Sequence, residues 1–79
     1  MNTKESKVKE IISRIIKVSA DQISNDDDLV DQHGMDSMAR IEIMTELEKE
    51  FDVTIDDNEA LELRSVNKCL EVLHKLSKK

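Results

Sequence analysis

Seventy-nine residues make one domain, near the lower size at which a core holds without a staple. One cysteine, Cys69, excludes an internal disulfide and a zinc-ligand cluster, and a net charge of −6 disfavours nucleic acid as a partner. One phenylalanine, one glycine and no tryptophan, tyrosine or proline leave no aromatic stacking platform and few hairpin turns, which favours an all-α domain.

The charge is unevenly placed. Residues 21–62 hold 15 of the 18 acidic side chains against only Arg40 and Lys49, while both ends are net basic. Such an arrangement suits an acidic face that basic partner surfaces could read, and equally a solvated surface that keeps a small protein monomeric. No apolar run approaches the ~20 residues that span a bilayer, so no membrane insertion is expected. Met1-Asn2-Thr3-Lys4 leads straight into a mixed-charge helix, unlike a signal or transit peptide, so a cytoplasmic protein is expected.

Val8, Ile11, Ile12, Ile15 and Ile16 recur at helical spacing and predict a first helix over about 3–17. Asn2 with Glu5 reads as a capping box, with Thr3 as the alternative cap. Residues 18–36 show no sustained period. Asp21, Ser24, Asn25 and Asp26-Asp27-Asp28 are turn formers, and Ile23, Leu29, Val30 and Met35 are spaced as anchors for a long loop. Loops of this length in so small a domain tend to be functional.

A second helix is predicted over 37–51, with Asp36 as its N-cap and Ser37 as its first residue. At 100° per residue Ile43, Met44, Leu47 and Phe51 share one arc, whereas Met38, Ile41 and Thr45 fall nearly opposite. The first stripe is the larger and belongs in the core. Met38 and Ile41 are then either an exposed docking surface flanked by Glu42 and Glu46 or residues packed beneath the long loop. A link, Asp52-Val53-Thr54-Ile55, turns Val53 and Ile55 inward. Asp56 or Asp57 caps a short helix over 57–63 with Ala60 and Leu63 inward, and Ser65 caps a last helix over 66–77. Its stripe is Val66, Cys69, Leu70, Leu73 and Leu76, and Lys75, Lys78 and Lys79 sit at the negative end of its dipole. The expected fold is all-α: a small four-helix bundle of three main helices and one short one, with a long loop between the first and second.

Little of this chemistry is catalytic. Ser37 as a nucleophile would need His33 or His74 as its base, and there is no G-x-S-x-G elbow. Asp26-Asp27-Asp28 with Asp31 lacks the spacing of a calcium loop, which Val30 and Asp31 interrupt. Asp56, Asp57, Glu59 and Glu62 could attract divalent ions weakly, and Cys69 reads as a small buried hydrophobe. Ser37 therefore stands as an attachment point: it follows Gly34 and a capping aspartate, at the positive end of a helix dipole that suits a phosphate. As a bare dipeptide, Asp36-Ser37 reads first as an ordinary capping pair, because helix starts favour both residues.

The full chain resembles the acyl carrier proteins. The resemblance rests on Asp28-Leu29, Gly34-Met35-Asp36-Ser37-Met38, Ile41-Glu42, the run from Leu47 to Ile55, Asp57, Ala60 and Leu63-Arg64-Ser65-Val66. It implies that Ser37 carries 4′-phosphopantetheine, transferred from coenzyme A by a phosphopantetheinyl transferase. The arm's thiol would hold cargo as a thioester, supplied by an acyl- or aminoacyl-loading ligase or transferase. Fatty-acid, polyketide or related enzymes, ketosynthases among them, would dock basic patches on Asp36, Met38, Ile41, Glu42 and Glu48. A carrier of aminoacyl or peptidyl groups in nonribosomal peptide synthesis is the alternative, and a cofactor-free acidic adaptor a more remote one.

The chain departs from that family at three places. Met38 and His33 stand where leucine is usual, and Ala39-Arg40 replaces an acid followed by a small polar residue. Arg40 lies near the core-facing arc, where fatty cargo would enter, so long chains are expected to be poorly sheltered.

Overall fold

The computed structural model describes residues 3–77, and every regular element in that span is helical. The helices are α1 (Thr3–Ile16), α2 (Leu29–His33), α3 (Ser37–Phe51), α4 (Asp57–Ala60) and α5 (Val66–Ser77), with one 3-10 turn at Ala20–Gln22. Among the described residues, no helix is long and apolar enough to cross a membrane. The cap expected at Asn2 or through the Thr3 side chain, and the cations Lys78 and Lys79, lie outside what is described.

Each long helix buries the stripe that its period dictates. Val8, Ile11 and Ile12 of α1 meet Ile43 and Leu47 of α3 and Val66, Cys69 and Leu73 of α5 in one core. Full burial of such a side chain stabilises the fold by ~1.5–3 kcal/mol relative to exposure. Ile15, Ile16, Met44, Phe51, Leu70 and Leu76 close the edges half-buried. Val72, left out of the expected α5 stripe, is buried as well; it sits at the rim of the same arc, one turn beyond Cys69.

The helices stop where the backbone turns left-handed. Lys17 has φ of 62°, so α1 ends one residue earlier than expected, and Val18 N–H donates to the Ser13 carbonyl at 3.2 Å. Asp52 has φ of 55° and sends its N–H to the Glu48 carbonyl, which also accepts from Val53 at 3.2 Å.

The largest difference from the sequence reading is in the long loop. A 3-10 turn and the five-residue α2 interrupt residues 18–36, giving five α-helices among the described residues where four were expected. Five residues are too few to display a period, yet local bonds suffice to close them. The Asp28 carboxylate accepts the N–H groups of Val30 (3.0 Å) and Asp31 (3.2 Å), and the Gln32 side chain accepts that of Asp28 (2.8 Å). Ile23, Leu29 and Met35 then anchor the segment as buried side chains. Polar braces tie it elsewhere. Leu29 N–H donates to the Arg64 carbonyl at 2.7 Å, Asn25 Nδ2 to Glu5 Oε2 at 2.7 Å, and the Asn67 amide to Asp26.

Asp56 is the cap of α4 and forms the full box with Glu59, whose N–H donates to Asp56 Oδ1 at 2.8 Å. The helix ends at Ala60 instead of 63. Glu62 and Leu63 donate three residues back, and this tighter turn carries Leu63 into the core. Ser65 caps α5 as expected, its hydroxyl accepting from Lys68 N–H at 3.1 Å.

Candidate functional site

The site is built by a short succession of constraints. Gly34 ends α2 in the left-handed region (φ 70°, ψ 25°), and a Cβ there would meet nothing within 4 Å. The demand for glycine is therefore one of backbone conformation, not of space. Met35 is buried at 3% exposure, and its N–H donates to the Leu29 carbonyl at 3.0 Å. With that residue pinned inward, the extended Asp36 and then Ser37 emerge at the surface.

Asp36 caps α3 as the sequence predicts. Its Oδ1 accepts the Ala39 N–H at 2.8 Å, and its carbonyl accepts the Arg40 N–H at 3.0 Å, the first turn of the helix. The N–H groups of Ser37 and Met38 precede that bond and project from the positive end of the helix. Ser37 is thus an exposed hydroxyl beside two outward donors, a donor set that fits a phosphodiester on its oxygen.

Met38 and Ile41 are 68% and 50% exposed, so they do not pack beneath the long loop. With Glu42 and Thr45 they follow at i, i+3, i+4 and i+7, one outer strip beside Ser37. Ile41 is also the ridge between two cavities. One, of about 300 Å³, lies between α1 and α3 against Arg14, Ile15, Glu42 and Glu46. The other, of about 270 Å³, lies between α3 and the α4 segment, against Arg40, Met44, Asn58, Ala60 and Leu61. Leu61 is itself 58% exposed and extends the apolar strip across the second cavity. Leu61 has no place in the sequence pattern, because its neighbours Ala60 and Leu63 occupy the inward positions.

The structure brings Asp36, Met38, Ile41 and Glu42 together around Ser37, but not Glu48. That residue lies about 16 Å farther along α3, at 1.5 Å per residue. Its Oε2 accepts the Ile55 N–H at 2.7 Å, which fastens the link after α3. Glu46 and Glu50 are paired as well, Glu46 with Arg14 (3.8 Å) and Lys49 (3.7 Å), Glu50 with Lys7 (3.0 Å). Such exposed pairs carry little energy but reduce the free charge of the helix.

The acidic loop has a structural task. Asp27 Oδ2 lies 2.9 Å from His33 Nε2 and accepts the Ser24 N–H at 3.0 Å. The His33 bond, then that from Ser24, holds the Asp27 carboxyl below its usual range. Arg64, then the Asp31 N–H, does the same for Asp28. His33 is therefore engaged with Asp27, and His74 is an exposed residue of α5. Cys69 is fully buried, and desolvation pushes its thiol up to about 12.

Comparison with known proteins gives the family. The family model described as "Phosphopantetheine attachment site" matches residues 6–73. An acyl carrier protein of Buchnera aphidicola subsp. Schizaphis graminum is 34% identical over the whole of both chains. That of Desulforapulum autotrophicum is 36% identical over 92% of this chain and 96% of its own. Among solved structures, a putative acyl carrier protein from Mycobacterium tuberculosis superposes with a TM-score of 0.80 at 30% identity, covering 90% of this chain and 95% of that one. The all-helical architecture agrees with that neighbour, and the family's members are carriers bearing phosphopantetheine rather than catalysts. With the family model spanning residues 6–73 and relatives 34% and 36% identical over nearly their full length, this chain belongs to the acyl carrier protein family.

Proposed function

We propose that residues 1–79 form a single carrier domain in which Ser37 bears the 4′-phosphopantetheine arm. The observation that carries this reading is the placement of Ser37: exposed, first in α3, after left-handed Gly34 and Asp36, which caps the helix. When bound, the arm supplies a terminal thiol that holds acyl groups as thioesters. The chain's own residues do the rest. Asp36 fixes the first turn so that the Ser37 oxygen faces outward, toward coenzyme A held by a phosphopantetheinyl transferase. Met38 and Ile41 offer an apolar contact, and Asp36 and Glu42 surround it with negative charge suited to basic patches on that transferase and on acyl-loading and acyl-processing enzymes. The acidity of α3 favours acyl cargo, with fatty-acid, polyketide or related synthesis in the cytoplasm as the setting.

The test is incubation with coenzyme A and a promiscuous phosphopantetheinyl transferase, read by intact mass. One phosphopantetheine should add to the wild type and none to Ser37→Ala. A wild type that stays unmodified would overturn the assignment.

A further inference from the structure

Arg40 is an arginine among acids that pairs with none of them. Residues 21–62 hold fifteen acidic side chains, and Arg14 and Arg64 both find carboxylates, at 3.8 and 2.8 Å. Among the described residues, the Arg40 side chain has no ion pair, although Asp57 lines the same cavity. It is half-buried on the α4 side of α3, with its backbone N–H given to Asp36.

Its position relative to Ser37 is specific. Arg40 and Met44 are three and seven residues beyond Ser37, so the three lie along one side of α3, with Ile41 as the ridge between that side and the outer strip. Long side chains on a helix lean toward its N-terminus, which sends the reach of Arg40 back over the turn of Ser37. A guanidinium presents paired donors that match the two free oxygens of a phosphodiester. The outward N–H groups of Ser37 and Met38 approach the same place from the helix end.

We propose that Arg40 is a positioning residue for the arm: its guanidinium holds the phosphodiester borne by Ser37 and directs the arm across the cavity between α3 and α4. This rests on the assignment of Ser37 made above. The arm then starts on the Met44 and Ala60 side of α3, across the Ile41 ridge from Met38 and Glu42.

The experiment uses the phosphopantetheinylated full chain, with phosphorus NMR and the arginine side-chain N–H signals as readouts. In the wild type, modification should shift the Arg40 Nε–Hε signal and the backbone amides of Asn58, Ala60 and Leu61. The phosphorus resonance should differ between folded and urea-unfolded protein. Arg40→Gln should lose most of that difference and Arg40→Lys should keep part of it. High salt should shrink the difference in the wild type itself, an arm that depends on no variant. A phosphorus resonance indifferent to residue 40 and to salt, on protein that intact mass shows to be modified, overturns the Arg40 assignment alone. Absence of the modification by mass overturns the Ser37 assignment, and this inference with it.

Discussion

Arg64 reaches back to Asp28 across thirty-six residues of chain, its Nη2 2.8 Å from the carboxylate, while its carbonyl takes the N–H of Leu29 at 2.7 Å. One residue thus braces the start of α2 to the link before α5, through both side chain and backbone. The loop that presents Ser37 is long in sequence but closely tied in space.

These braces make the loop sensitive to acid. The carboxyls of Asp27 and Asp28 both lie below their ordinary value of 3.8 in the folded protein. They bind protons more weakly when folded, so their stabilisation is complete above that value and is lost as the pH falls through the lower folded values. Urea unfolding followed by circular dichroism should show the wild-type midpoint falling below about pH 4. Asp27→Asn and Asp28→Asn should each be less stable at neutral pH and flatter in acid; acid slopes equal to the wild type would refute the role.

The two faces of α3 should respond oppositely to truncation. Leu47 has no exposure, and Leu47→Ala should destabilise the fold by ~2–5 kcal/mol in urea titrations. Ile41 is half exposed, and Ile41→Ala should change stability by less than ~0.5 kcal/mol. In transferase kinetics the same variant should raise KM for the carrier, as the docking role proposed for its side chain requires.

Glu48 and Glu42 allow a structural carboxylate to be told from the docking role proposed for Glu42. Glu48→Ala removes the acceptor of the Ile55 N–H and should cost about 1 kcal/mol of stability. Glu48→Gln retains an acceptor oxygen and should cost less. If Glu48 serves the link and not the partner, Glu48→Gln leaves transferase KM unchanged, whereas Glu42→Gln raises it.

Much of this arrangement was legible in the sequence because it depends on local rules. The Asp36 cap, the start of α3 at Ser37 and the outward turn of Met38 and Ile41 follow from cap preference and a 100° period, and each appears where expected. The features that escaped depend on chain return. Nothing near Glu48 reveals that Ile55 comes back to its carboxylate, and nothing near Asp28 reveals Arg64. α2 escaped for another reason: a helix of five residues, closed by its own caps, is too short to carry a pattern.

The burial of Cys69 has a practical consequence for anyone who handles this carrier. As the chain's single cysteine, shut in the core with its thiol pushed up to about 12, it should be silent toward thiol-selective dyes while the protein is folded. An arm on Ser37 would add a second sulfur, exposed to solvent. Colour developed by native protein then counts empty arms, and acylation erases it. Denaturant afterwards releases Cys69, one equivalent per chain, so that every sample contains its own concentration standard.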